Sequence, residues 1–342
     1  MQFLYTLTST FRDYYYEQFL LSATSLKLIM PGAEITLLCD SETKKNLTDI
    51  KSRREYEKLV FKTITIDAPA DFNQIEVSRW VRTSMRQHVS GDFLFLDGDT
   101  IVTDDLSSVF RMGIIFGACQ DKHSQISKHQ KKENIIKNNE YLGFNSPFSD
   151  KHFNGGVLFC ANLPEVHKLF ERWNELWLFS RKKNILRDQP ALNMAIYENS
   201  SLFTELDGTW NCQIACNGLP FLANSKIIHY FATDTVFQSS PFLFASDSIY
   251  KSIKETGTIP KEILELLQKP KSAFIQGSRI VAGTDILNVL DSNFFTSIFL
   301  LYKKFPCLFN FFNKLSSVGK KITKSYLVKK SKKTDGGTIF YN

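Results

Sequence analysis

Residues 91–103 read Gly-Asp-Phe-Leu-Phe-Leu-Asp-Gly-Asp-Thr-Ile-Val-Thr, an apolar, β-rich run that ends on two carboxylates, Asp97 and Asp99, one residue apart. A continuous apolar run of this length suits a strand buried on both faces, the kind found in parallel sheets covered by helices. Alternate residues of an extended chain point the same way, so the two carboxylates can converge, with Gly98 allowing a tight turn between them. A hard cation, magnesium or manganese, takes one or two such carboxylates and leaves the rest of its shell to phosphate and water. Asp-Gly-Asp is equally an ordinary polar turn closing a strand, because Asp and Gly are common turn residues.

The surrounding segments fix the fold class. Residues 2–8 alternate like a first strand, 13–30 has helical apolar spacing up to Pro31-Gly32, 34–39 is a second apolar strand ending at Asp40, and 59–66 reads as a third. A helix over 74–89 then leads into the Asp97 strand. This β-α-β-α-β order predicts an α/β protein with a mostly parallel central sheet flanked by helices, with ligands at the carboxyl ends of the strands, where Asp40 and Asp97 both fall. Between Asp121 and Asp150 the chain turns polar and lysine-rich without a sustained period, as a substrate-facing loop or a plain solvated insertion does. Strand character returns at 156–160, helices follow over 164–179 and after Pro190, and 226–231 is a last apolar strand carrying His229.

Composition narrows the setting. With 342 residues the chain can bury a full-sized core, and its opening, Met1-Gln2-Phe3-Leu4, carries neither a basic leader nor a long apolar stretch, which points to the cytoplasm. The six cysteines lack the paired spacing of a zinc site and read as reduced packing residues. The net charge of +7 is uneven: ten lysines against one acid after residue 300 leave the first 300 residues at about −2.

The helix before the metal strand carries Arg79, Arg82 and Arg86, and the first two share a face. An arginine fork there could clamp a diphosphate; a solvated basic face is the other reading.

Taken in order, Phe95-Leu96-Asp97-Gly98-Asp99-Thr100, Phe153-Asn154-Gly155-Gly156-Val157-Leu158, Asp188-Gln189, Trp210-Asn211 and Ile228-His229-Tyr230 resemble the nucleotide-sugar-dependent glycosyltransferases of the GT-A fold, most of all family 8 and its bacterial relatives. The resemblance covers about residues 1–235. It implies a GT-A domain over 1–245 and a C-terminal helical, basic extension over 246–342. It implies a metal-dependent transfer of a sugar from a nucleotide diphosphate, UDP favoured, to a glycan or lipid-linked acceptor, with retention of configuration. His229 would join Asp97 and Asp99 as a metal ligand, a mixed shell that favours Mn2+ over Mg2+. Arg82 sits nearest the family's basic position and Arg79 is second; Asp40 and the backbone around Tyr5-Thr6 would hold the nucleotide, and Asn154 with Gly155 would border the sugar. Asp188 and Gln189 would line the reaction centre, although Asp188 could also cap the helix that begins near Pro190, as Asp40 could cap its own. One departure stands out: where the family continues after the histidine with glycine and Lys-Pro-Trp, this chain reads Phe231-Ala232-Thr233-Asp234-Thr235.

From Phe294 to Phe312 the chain is dense in Phe, Leu and Ile but interrupted by Lys303-Lys304 and Pro306. That pattern suits an interfacial amphipathic helix on the inner face of a membrane better than a transmembrane span. A terminal helix packed on its own core is the plainer reading, and no nucleic-acid-binding motif is present. Two rival functions remain. A haloacid dehalogenase-type phosphatase also ends a strand in Asp-x-Asp, but it places Thr where this chain has Ile101 and needs a later Gly-Asp-x-x-x-Asp that is missing. A non-catalytic carbohydrate-binding protein would not need a metal pair and an arginine helix together.

Overall fold

In the computed structural model, residues 1–129, 131–144, 150–231, 243–274 and 292–316 are described. The chain divides into two compact units, Met1–Ser278 and Arg279–Asn342.

In the first unit, seven of the described strands form one sheet in the order β3-β2-β1-β4-β7-β6-β8. These are β1 (Gln2–Leu7), β2 (Glu34–Asp40), β3 (Val60–Ile66), β4 (Phe93–Leu96), β6 (Phe116–Gln120), β7 (Phe153–Cys160) and β8 (Phe203–Leu206). All neighbours run parallel except β7, which is antiparallel to both β4 and β6. A smaller sheet has the order β5-β10-β9, with β5 at Thr100–Val102, β9 at Cys212–Gln213 and β10 at Ile227–His229.

The apolar runs of β1, β2, β4 and β7 are buried on both faces, and alternate residues feed two cores. Phe3, Tyr5, Leu94, Leu96 and Phe159 point to one core with α1 (Tyr15–Ile29) and the small sheet. Leu4, Phe93, Phe95 and Leu158 point to the other with α3 (Gln74–Thr83), α4 (Met85–His88), α6 (Pro164–Lys182) and α7 (Gln189–Glu198). The helix expected over 74–89 is broken at Ser84, whose hydroxyl bonds the Trp80 carbonyl at 2.8 Å. The polar excursion after Asp121 contains a helix, Lys132–Leu142, that ends on left-handed Gly143 (φ 72°). Its one-sided, weak apolar content hid it from a periodicity reading.

The first unit extends past the boundary expected at 245. Helices Asp247–Thr256 and Lys261–Leu267 supply Tyr250, Ile253, Ile263 and Leu267 to the core beside α1. In the second unit, helix Asn293–Lys304 is capped by Ser292, whose hydroxyl accepts from the Phe295 amide at 3.1 Å, and residues 306–316 are again helical. Pro306 marks the break between them. The lysine cluster from Lys320 onward lies outside the described residues.

Gly257 tests whether the later helices are integral. Its φ of +79° strains any side chain, and a Cβ there would stand 2.9 Å from the Ser52 backbone. Gly257→Ala is expected to lose roughly 2–3 kcal/mol in denaturant unfolding, whereas Gly32→Ala, with nothing within 4 Å, should change stability by less than about 0.5 kcal/mol.

Candidate active site

The chain leaves the large sheet after Leu96 and enters the small one at Thr100. Asp97 and Asp99 flank this crossing. The Asp97 amide donates to the Gly156 carbonyl of β7 at 2.8 Å, and the Asp99 carbonyl accepts from the Tyr230 amide at 3.2 Å, so each carboxylate is anchored by a different sheet. Thr100 braces the turn from below: its hydroxyl donates to the Asp97 carbonyl at 2.7 Å and meets Ser22, which in turn meets the Tyr5 hydroxyl, each at 3.0 Å. Gly98 needs no left-handed backbone here, and a Cβ would make ordinary contact with Phe19 at 3.4 Å. The tight turn expected at this position is present, over residues 98–99, but it uses a backbone conformation that does not require glycine.

β10 pairs antiparallel with β5, placing His229 opposite Thr100. Ligand atoms of Asp97, Asp99 and His229 all lie within 4.8 Å of one another, with His229 Nε2 3.1 Å from Asp99 Oδ1. Two carboxylates and an imidazole are a donor set that suits a divalent cation. Burial pushes the Asp97 carboxyl up, with Asp99 adding to the rise and Arg82 opposing it. Burial alone would push the His229 imidazole down, but the adjacent Asp99 and Asp97 carboxylates outweigh it and hold it above its ordinary value.

The three sit in a cleft of about 600 Å3 that also exposes Thr6, Arg79, Arg82, Asp121, Lys122, Asn154, Gly155, Asp188 and Gln189. Arg82 is nearly buried. Its guanidinium reaches Asp97 Oδ2 at 3.0 Å, the Gly155 carbonyl, and Asp188 Oδ2 at 3.5 Å, and lies over the Phe95 ring. Arg79 lies 3.5 Å from Asp188 Oδ1 and is more exposed, at 31% against 11%. Asp188 occupies the N-cap position of α7 but makes no capping hydrogen bond. Of its two open roles, the carboxylate serves the arginines. Two tryptophans of α6 hold this loop in place: Trp173 Nε1 donates to the Asp188 carbonyl and Trp177 Nε1 to the Leu186 carbonyl, both at 3.1 Å. Gln189 Nε2 donates to the Phe153 carbonyl at 3.2 Å, fixing its amide at the cleft edge.

The side chains of two residues expected at the nucleotide have partners within the protein. The Asp40 carboxylate caps α2 (Ser41–Asp49), accepting from the Glu42 and Thr43 amides at 3.1 and 3.2 Å, and does not line the cleft. Tyr5 is fully buried and acts through Ser22, whereas Thr6 does reach the cleft. The Asn154 carboxamide is bonded to Asp121, Asn211 and the Gly156 amide.

Asp121 and Lys122 were not expected at the site, and Asn211 and Phe231, noted in the sequence as a motif residue and as a departure from the family, carried no expected role there. Asp121 ends an apolar strand as Asp97 does, so the same signal could have found it. Lys122 and His123 both adopt left-handed backbone (φ 52° and 48°), a local feature no sequence period encodes. Phe231 is left-handed too (φ 51°), and its ring lies 4.1 Å from that of His229. A bulky residue in that region stores strain of about 1–3 kcal/mol. The rest of the departing segment, residues 232–235, lies outside the described residues. A second cavity, about 560 Å3, is lined chiefly by apolar side chains such as Ile135, Phe144, Met194 and Phe203, and does not include Asp97, Asp99 or His229.

Residues 90–234 match the profile of glycosyl transferase family 8. No curated protein gives a sequence match. Among solved structures, the fold is similar to the galactosyltransferase LgtC in complex with donor and acceptor sugar analogs (TM-score 0.51, 17% identity, covering 77% of this chain and 98% of that one). Weaker likenesses are mouse xyloside xylosyltransferase 1 (TM-score 0.43, 16% identity, 67% and 97% covered) and the glycosyltransferase GlyE of Streptococcus pneumoniae TIGR4 (TM-score 0.46, 18% identity, 79% and 64% covered). The phosphatase reading is left without support.

Gly156 is the tightest point of the site, since a Cβ there would lie 2.5 Å from His229 Cε1 and 2.9 Å from Asn154 Oδ1. Gly156→Ala is expected to cost roughly 1–3 kcal/mol and to move the imidazole away from Asp99, which chemical unfolding and a crystal structure of the variant would check; an unmoved His229 would contradict the geometry.

Proposed function

We propose that this chain, whose residues 90–234 match the family 8 profile and whose fold is similar to that of a GT-A glycosyltransferase, moves a sugar from a nucleotide diphosphate, UDP favoured, to a glycan or lipid-linked acceptor with retention of configuration, using Mn2+ or, less well, Mg2+. The observation that carries this reading is the convergence of Asp97, Asp99 and His229 within 4.8 Å at a cleft lined by Arg79, Arg82, Asp188 and Gln189. The transfer domain, read from the sequence as residues 1–245, is proposed to lie within the first compact unit, Met1–Ser278.

Those three residues would hold the cation, which would supply Lewis-acid stabilisation of the charge on the departing nucleotide diphosphate. The chain's own groups do the rest. Arg79, the more exposed arginine, adds positive charge on the diphosphate side, while Arg82 holds Asp97 and Asp188 in place. Asp188 is the carboxylate proposed for donor-sugar hydroxyls, its orientation set by the two arginines. Gln189 is neutral and tethered to the Phe153 carbonyl, which supports orientation of the sugar more than nucleophilic attack. Same-face substitution assisted by the leaving phosphate fits such a site, and the anomeric configuration of the product by NMR tests it.

Thermal unfolding with UDP-, GDP- and CDP-sugars should show protection by a UDP-sugar only when Mn2+ is present. Asp99→Asn should abolish the Mn2+-dependent part and lower kcat about 100–1,000-fold. Protection without any hydrolysis or transfer would favour a non-catalytic carbohydrate-binding protein. Since Asp99 holds the His229 imidazole above its ordinary value, the cation must displace a proton there. Mn2+ affinity should therefore rise with pH and fall in acid, as isothermal titration would read.

We further propose contact with the inner face of a membrane through the second unit. No helix among the described residues is long and apolar enough to cross a membrane. Helices 293–304 and 306–316 expose Phe294, Leu300, Leu308, Phe311 and Leu315, with exposed Phe305 at the break between them, beside Lys303, Lys304 and Lys314. Apolar side chains in the acyl boundary and lysines on anionic headgroups would suit that surface. Reversing Lys303, Lys304 and Lys314 to Glu should weaken sedimentation with phosphatidylglycerol vesicles about 100-fold or more, at ~1 kcal/mol per lysine. Equal binding to neutral phosphatidylcholine vesicles would count against it.

A further inference from the structure

Behind the metal-binding group runs a line of polar side chains whose donors and acceptors can be assigned without choosing any amide orientation freely. His129 Nδ1 accepts from the Lys131 amide at 2.9 Å, so its Nε2 carries the proton and donates to Asp121 Oδ2 at 3.0 Å. Asp121 is an acceptor only, and hydrogen bonds from His129 and Asn154 hold its carboxyl well below the usual range although burial opposes them. The Asn154 atom 2.8 Å from Asp121 Oδ1 must therefore be the amide nitrogen. The same residue's other atom accepts from the Gly156 backbone N–H at 2.8 Å, which only an oxygen can do. Both ends of Asn154 are thus fixed independently, by a carboxylate and by a backbone amide.

The assignment propagates. Asn211 presents to that Asn154 oxygen, at 3.0 Å, an atom that must be a donor, its Nδ2. The Asn211 oxygen is then the atom 3.1 Å from His229 Nδ1. An amide oxygen donates nothing, so His229 Nδ1 must carry a hydrogen. What remains on the far side of the ring is Nε2, which faces Asp99. His129, Asp121, Asn154 and Asn211 are all buried, with exposures of 7% or less, and water cannot easily substitute for a missing partner.

We infer that Asn211 is a positioning residue: through the chain His129–Asp121–Asn154–Asn211 it locks a proton on His229 Nδ1, so that Nε2 is the one imidazole atom available to a cation. This inference rests on the proposed metal-dependent function for its purpose, but the locked proton is a property of the protein alone. The ligating histidine receives its orientation from a neutral carboxamide that is itself held by an ionised carboxylate two hydrogen bonds away.

The test uses the full-length protein with 15N-labelled histidine. Long-range nitrogen–proton spectra of metal-free and Mg2+-saturated samples should show His229 Nδ1 protonated in both; a spectrum in which Nε2 carries the sole ring proton overturns the inference. Asn211→Leu, of similar size, should weaken Mn2+ binding by about 10–100-fold in titration calorimetry. Asn211→Asp gives up the donor to Asn154 Oδ1 but keeps an acceptor toward Nδ1, so it should retain the protonated Nδ1 and bind Mn2+ more tightly than Asn211→Leu. Equal loss in both variants would make Asn211 a packing residue only, and unchanged affinity in Asn211→Leu would also overturn the proposal. If the wild-type protein binds neither Mn2+ nor Mg2+ while Nδ1 remains protonated, the metal-dependent function fails and the locked proton stands.

Discussion

The site depends on one buried cation, the Arg82 guanidinium, which meets Asp97 at 3.0 Å, Asp188 at 3.5 Å and the Gly155 carbonyl. These contacts join the end of β4, the glycine pair of β7 and the start of α7 to α3. Removing one partner from a buried pair costs about 3–5 kcal/mol, because the other charge is left without compensation. Here the loss would be compounded, since Asp97 and Asp99 already repel each other and burial alone raises the Asp97 carboxyl. Arg82 is what allows a carboxylate pair to be present before any external cation arrives.

The second constraint is topological. Asp97 is held by the seven-stranded sheet and Asp99 by the three-stranded one, so the ligand group exists only when both sheets are in register. A continuous strand would have carried Asp99 further along one sheet; the crossing at 97–99 instead brings it to His229 on β10. Packing below supports that crossing, through Tyr5, Ser22 and Thr100. The Tyr5 side chain, on the strand whose backbone is read from sequence as a nucleotide contact, belongs to the foundation of the turn that carries Asp97 and Asp99.

How much of this was legible in the sequence follows from the range of each signal. The buried strands, the main helices, the parallel character and the Asp97–Asp99 pair stand out, because apolar runs and strand-end carboxylates are local patterns, whereas His229 entered as a ligand only through the family resemblance. The small sheet as a unit does not: β9 spans two residues, and the last strand, although legible over 226–231, carries no sign that it pairs with β5 and β9. The two arginines were visible as a shared helix face, but their division of labour depends on depth: Arg82 is drawn in over Phe95 while Arg79 stays half-exposed. Asp40 offered both a cap and a ligand, and the helix that starts at the next residue settles how its carboxylate is used.

Least legible were groups whose role is set by partners far away in the chain. Asn211 matters because of Asn154, Asn154 because of Asp121 and Gly156, and none of these pairings has a sequence spacing that announces it. The same holds for Phe231, whose left-handed backbone is offset by stacking on the imidazole it follows by two residues. Strain and fully assigned polar chains of this kind collect where a side chain must be held in one orientation. Both converge on His229 from opposite sides, Asn211 on its Nδ1 edge and Phe231 on its ring face, which leaves the Nε2 edge turned toward Asp99 and the cleft.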